Sequence, residues 1–148
     1  MTVPAPAQPT RALLPHTVPP GSFEQLLLFA VRRMAAGGLN DAHAAHALFS
    51  GFGLHFRRPL VLLRALMAEV SRVSARKLTV APCCCKRMTD DEARLIAIIA
   101  GSNTAPAGAA MMLGDLLKVR NALGVLTSAQ AVEICFADLG MPLAPIED

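Results

Sequence analysis

The sequence predicts an all-α fold, a single-domain bundle of about six helices over residues 22–148 behind a flexible Pro-rich arm over residues 1–21. Apolar residues recur at helical spacing in six windows, capping residues stand ahead of several of them, and no run alternates with period two for long enough to make a strand. The arm holds six of the eleven prolines and almost no apolar periodicity.

Ser22 with Gln25 three residues on has the capping-box pattern and opens helix 1, which stops at Gly37-Gly38. Phe23, Leu27, Ala30, Val31 and Met34 share one face. Leu26, Leu28 and Phe29 lie off it, so the helix is apolar nearly all round, which suits a central helix or a subunit interface. Asn40 is read as the cap of helix 2, with Ala45, Leu48, Phe49 and Phe52 as its buried stripe. Pro59 is placed as the first residue of helix 3, which reaches about Ala75 and buries Leu63, Leu66, Met67, Val70 and Val73.

Residues 78–88 contain Pro82 and three consecutive cysteines and read as a loop. Thr89 and Glu92 give a second capping box for helix 4, over about 90–100, with Leu95, Ile98 and Ile99 inward. Helix 5 covers about 105–120 with Pro106 in its first turn and Leu113, Leu116 and Leu117 inward. Thr127 and Gln130 read as the third capping box, opening helix 6 with Val132, Cys135, Phe136 and Leu139 buried.

A chain of 148 residues makes one domain of ordinary size that needs no disulfide or metal staple to fold. Hydrophobic residues make up 53% and the mean hydropathy is +0.45, yet aromatics are 4% with no Trp or Tyr. That scarcity argues against base-stacking and sugar-binding surfaces. The longest dense apolar stretch, residues 26–31, is far short of a membrane span and is closed by Arg32 and Arg33. The N-terminus lacks the basic start and cleavage pattern of a signal peptide, so a cytoplasmic location is expected, with free thiols rather than a disulfide framework.

The net charge of +3 is unevenly placed. Residues 57–87 carry Arg57, Arg58, Arg64, Arg72, Arg76, Lys77, Lys86 and Arg87 against Glu69 alone, whereas residues 88–148 carry an excess of acid. The basic segment is the candidate for phosphate or nucleic-acid binding, chiefly through Arg64, Arg72 and Arg76 on one helix face. The plainer reading is a solvated face, or pairing with the acidic half.

Cys83, Cys84 and Cys85 are the chemically distinctive feature. Lys86, Arg87 and the start of helix 4 favour a thiolate, while Asp90, Asp91 and Glu92 offset that field. Plain packing, a redox switch and a metal site compete for them. In an extended segment Cys83 and Cys85 point the same way and Cys84 opposite, so the first two make the ligand pair for zinc or another transition metal. His43 and His46, one helical turn apart, are the candidate further ligands, although the spacing fits no standard zinc module. A disulfide between adjacent cysteines closes a strained ring, which favours Cys135 or another subunit as the partner. Cys135 itself sits in a core stripe.

No phosphate-binding glycine loop, nucleophile elbow or metalloprotease helix is present, so the reading leans away from an enzyme. The stretch Arg57-Arg58-Pro59-Leu60, through Ala81-Pro82-Cys83-Cys84-Cys85, to Asp90-Asp91-Glu92 resembles a group of small uncharacterised bacterial proteins of unknown function. The resemblance implies a bacterial cytoplasmic origin and no particular activity. The sequence is compatible with three functions. The first is a non-enzymatic interaction or regulatory protein, a homo-oligomer or the binder of a protein partner through its apolar helices, with no membrane role. The second is a thiol-based metal or redox protein, and the third is nucleic-acid binding.

Overall fold

The computed structural model describes residues 14–144. Six α-helices carry the fold: α1 (Ser22–Gly37), α2 (Ala42–Phe52), α3 (Arg57–Val73), α4 (Asp90–Gly101), α5 (Pro106–Leu117) and α6 (Leu123–Asp138). A single 3-10 turn, Gly53–His55, joins α2 to α3. Two very short strands, β1 (His16–Thr17) and β2 (Arg87–Met88), pair antiparallel, with His16 opposite Met88 and Thr17 opposite Arg87. The predicted all-α bundle is therefore the observed architecture.

Its most extensive helix pair is α3 against α6, followed by α1 against α2 and α4 against α5. Between them runs a core of Leu27, Ala30, Leu48, Leu63, Leu66, Ile99, Leu116, Leu117, Val132 and Phe136, all fully buried. Phe136 meets Phe52 edge to face with ring centres 5.0 Å apart. This arrangement buries one side of the apolar circumference of α1. Leu27, Leu28, Ala30, Val31 and Met34 are all buried within the chain, while Phe23, Leu26 and Phe29 are half-buried.

Several boundaries differ from expectation for identifiable reasons. Residues 1–13 of the expected arm lie outside the described residues, but residues 14–18 lie against β2, and Pro19 is buried and accepts from Gln25 Nε2 at 2.9 Å. Gln25 is thus turned toward the arm, Gly21 takes the cap position, and Ser22 is already helical. Asp41 rather than Asn40 caps α2, because its carboxylate both accepts from the Ala44 amide at 3.0 Å and is gripped by Arg33 at 3.0 and 3.2 Å. The buried stripe of α2 shifts with that start: Ala44, Leu48 and Phe52 are inside, while Phe49 is 44% exposed.

Pro59 is the third residue of α3 rather than its first, and it is buried there. The helix ends at Val73, which is half-buried. α5 stops at Leu117 because Lys118 adopts a left-handed backbone (φ 56°), and the Val119 amide then reaches back to the Gly114 carbonyl. α6 begins one turn before Thr127, whose hydroxyl donates to the Leu123 carbonyl at 2.8 Å from inside the helix. Gln130, the other half of that expected capping box, donates to Ser102 instead. The Thr89–Glu92 capping box is present with both of its hydrogen bonds.

Candidate functional site: a thiol turn braced by a buried ion pair

The segment between α3 and α4 has little regular structure of its own, so its shape depends on what holds its backbone polar groups. Two acids in the first turn of α4 do this. Glu92 is 2% exposed and pairs with Arg32 of α1, also 2% exposed, through Nε to Oε2 at 2.6 Å and Nη2 to Oε1 at 3.1 Å. Glu92 also accepts from the Thr89 amide at 2.9 Å and the Ala81 amide at 3.3 Å. Arg32 spends its remaining donors on the carbonyls of Cys85 (2.7 Å) and Arg87 (2.8 Å). Two buried charges are tolerated because each is paired with the other and hydrogen-bonded to the loop backbone.

Asp91 performs the same service one residue earlier. It takes the Arg76 guanidinium and the Thr79 amide, the latter at 2.7 Å. Arg76 in turn donates to the Leu116 carbonyl at 2.7 Å, so it closes the C-terminal end of α5. The acidic cluster at the start of α4 is therefore more than a complement to the helix dipole: two of its three members clamp the loop that precedes them. The third, Asp90, pairs on the surface with Arg94 and His16.

Within that braced segment, residues 82–85 form a turn closed by the Cys85 amide donating to the Pro82 carbonyl at 3.1 Å. Cys83 and Cys84 occupy its two central positions. The expected extended backbone is absent here, and so is its consequence: it is Cys83 and Cys84 whose sulfurs converge, at 3.3 Å, rather than those of Cys83 and Cys85. Cys84 is exposed, and Cys83 and Cys85 are half-buried. All three border a groove of about 540 Å³ whose apolar wall is Leu26, Leu28 and Phe29 of α1.

The two converging thiols are electrostatically unequal. The hydrogen bond from Cys84 holds the Cys83 thiol below its ordinary range, partial burial opposes that, and the Arg33 guanidinium adds to the lowering. The neighbouring Cys83 pushes the Cys84 thiol up. Burial pushes the Cys135 thiol up as well, and that side chain lies fully inside the core on α6. The expected order of reactivity is Cys83 first, with Cys84 beside it and Cys135 shielded in the core.

A pH profile checks this order. With a lowered pKa, Cys83 carries more thiolate at neutral pH than an ordinary cysteine, so its alkylation by iodoacetamide inflects at lower pH than that of Cys84. Cys84→Ala removes the largest cause and moves the Cys83 inflection up, and Arg33→Met moves it up by less. Peptide mass mapping that finds one shared profile for Cys83 and Cys84 rejects the assignment.

The source of that field is unlike the one expected from neighbours in sequence. Arg87 is turned away to the carbonyls of Leu14 (2.7 Å) and Pro15 (2.9 Å), where it anchors the chain ahead of α1. The Glu92 amide at the start of α4 is capped by the Thr89 hydroxyl, and Arg32 closes over the Glu92 carboxylate. Arg32 and Arg33, both from α1, are the cations that reach the cysteines. Neither is marked by local sequence, since each stands 50 residues or more before Cys83. A paired Arg-Arg closing an apolar stretch was the one available signal.

The remaining candidate residues are dispersed. His43 and His46 are exposed on α2. Among the described residues no group of three or more His, Cys, Asp and Glu side chains is gathered in a way that could hold a metal ion. The expected arginine face also comes apart. Arg76 lies beyond α3, Arg72 pairs with Glu69, and Arg64 donates to the Leu39 carbonyl. Arg58 meets Asp138 of α6 at 3.6 Å, so part of the charge asymmetry is spent within the fold. Arg57, Lys77 and Lys86 are exposed on separate parts of the chain. No helix among the described residues is long and apolar enough to cross a membrane.

These features define a small helical bundle that displays a vicinal pair of thiols on a turn held by a buried arginine–glutamate pair. Over residues 10–131 the chain matches the family of unknown function DUF6628, and it belongs to that family. Comparison with the curated proteins and with the solved structures finds no match.

Proposed function

We propose that this protein is a thiol-responsive regulatory protein whose switch is the Cys83–Cys84 pair. The observation that carries the reading is the 3.3 Å approach of two accessible, unequal thiols on one turn. A lowered, accessible thiol beside a second thiol is the arrangement that redox-sensing cysteines share. The reading places the protein in a reducing compartment such as the cytoplasm, where such thiols stay free between oxidation events.

The oxidant is a hydroperoxide. The Cys83 thiolate attacks one peroxide oxygen, the O–O bond breaks, and Cys83 becomes a sulfenic acid while hydroxide leaves. The Cys84 sulfur then attacks the sulfenic sulfur, a disulfide forms, and the sulfenic oxygen departs as water with the Cys84 proton. Cys135, the partner expected from ring strain, is fully buried, so the partner left beside Cys83 is Cys84; closure draws the sulfurs from 3.3 Å to about 2.05 Å and forms a strained, easily reduced ring. That movement pulls on a turn whose Cys85 carbonyl is tied to Arg32, so the buried pair senses it.

Treating the reduced chain with equimolar hydrogen peroxide and mapping peptides by mass tests the reading. The expected product is an intrachain Cys83–Cys84 disulfide, with Cys135 still free and with the thiols restored by a dithiol reductant. Cys84→Ser, an exposed substitution, is expected to stop at sulfenic acid on Cys83. Oxidation that spares Cys83, or that appears only as over-oxidation of all three turn cysteines, overturns it.

A further inference from the structure

We infer that the Cys83–Cys84 pair is a chelation site for trivalent arsenic, and in particular for organic arsenicals whose carbon group lies in the adjoining apolar groove. This rests on the reading of Cys83 and Cys84 as one accessible dithiol, but not on its oxidation by peroxide.

The separation of the two sulfurs lies closer to the bite of trivalent arsenic than to that of tetrahedral zinc. With a bond to sulfur of about 2.3 Å, a 3.3 Å separation sets the sulfur–ion–sulfur angle at about 90°. Tetrahedral zinc asks for about 109°, which spreads the sulfurs to about 3.8 Å. An ion that binds two thiolates in a straight line spreads them further still. Trivalent arsenic bonds to sulfur at about the same length, and its lone pair pushes three bonds into a pyramid with angles close to a right angle. Its preferred shape is therefore the one the turn already presents, while a disulfide requires the sulfurs to close by a further 1.2 Å or about that.

The surroundings supply the rest. Only two thiols are gathered, since no group of three ligating side chains that could hold a metal ion forms among the described residues. The third position on arsenic is then filled by the ligand's own carbon. Beside the pair, Leu26 and Phe29 give that carbon group an apolar wall in a groove of about 540 Å³, within the size range of small-molecule sites. The reaction changes no oxidation state. An arsine oxide, R–As=O, takes two thiols, forms two As–S bonds, and releases its oxygen with both thiol protons as one water.

Phenylarsine oxide added to the reduced full-length chain tests the inference, with intact mass, thiol titration and affinity as readouts. One arsenical per chain, consuming two thiols, is the expected result, reversed by a small dithiol but not by the same concentration of a monothiol. Cys83→Ser and Cys84→Ser are each expected to weaken binding about 100-fold, because a chelate becomes a single bond. Cys85→Ser is expected to bind within a few-fold of the unaltered chain. Far-ultraviolet circular dichroism confirms that each variant is folded, and Cys83→Ala and Cys84→Ala repeat the test should either serine variant misfold.

Consumption of one thiol, equal loss in Cys85→Ser, or zinc displacing the arsenical at equal concentration overturns the inference. A chain that forms the Cys83–Cys84 disulfide with peroxide but ignores the arsenical refutes this inference alone. A chain that binds the arsenical through both thiols but forms no disulfide refutes the redox reading alone.

Discussion

Arg32→Ala lowers the unfolding free energy by about 3–5 kcal/mol, the usual loss when one partner of a buried ion pair is removed. The expected loss falls in that range because the change strands more than a carboxylate. Glu92 stays 2% exposed with its charge unanswered, and the carbonyls of Cys85 and Arg87 lose their donor together. Glu92→Ala is expected to cost a similar amount, since it leaves the Arg32 guanidinium buried and removes the acceptor of the Thr89 and Ala81 amides.

The double variant Arg32→Met with Glu92→Leu recovers part of the loss, because no buried charge remains, but it leaves the loop carbonyls unbound. Urea unfolding followed by circular dichroism measures all three. A loss below about 1 kcal/mol for Arg32→Ala contradicts the pair's role. The same variants carry a second readout. If Arg32 shapes the thiol turn through the Cys85 carbonyl, Arg32→Ala also raises the alkylation rate of half-buried Cys85 in the native state.

Phe136→Ala is expected to cost about 3–5 kcal/mol through the cavity it leaves. The ring is fully buried on α6 and stands edge to face with Phe52 of α2 at 5.0 Å. Phe136→Leu is expected to cost less than half as much, because the volume is largely kept while the ring contact is lost. Exposed Phe49→Ala provides the contrast, with a change of about 1 kcal/mol or less, since surface substitutions move stability little. Equal losses at Phe136 and Phe49 rule out this assignment of the core.

The contrast between those two phenylalanines shows how far local pattern reaches. Both sit in helical windows with the right spacing, and periodicity placed both inside. The register of α2 was decided by Asp41, whose carboxylate serves as helix cap and as the partner of Arg33, and that double role is visible only once α1 and α2 are packed. Similarly, Thr127 and Gln130 match a helix start in pattern, yet the amides they could cap lie inside a helix that begins one turn earlier. A capping pattern states what can satisfy an amide, not which amide lacks a partner. Where pattern and need coincide, as at Thr89 and Glu92, the sequence reading and the structure agree.

By itself the sequence determined the six helices, most of their inward faces and the interest of the cysteine triplet, because each depends on residues within a turn or two of one another. Tertiary structure decided the pairing of β1 with β2, the burial of Arg32 and Glu92, and the conformation of the turn that they hold. It thereby decided which thiols meet. An isolated segment of residues 78–88 has no means of choosing between an extended form, which aims Cys83 with Cys85, and a turn, which joins Cys83 to Cys84. That choice is made by two charges from α1 and α4, 60 positions apart in the chain, whose burial is favourable only when both arrive with the loop's amides and carbonyls between them.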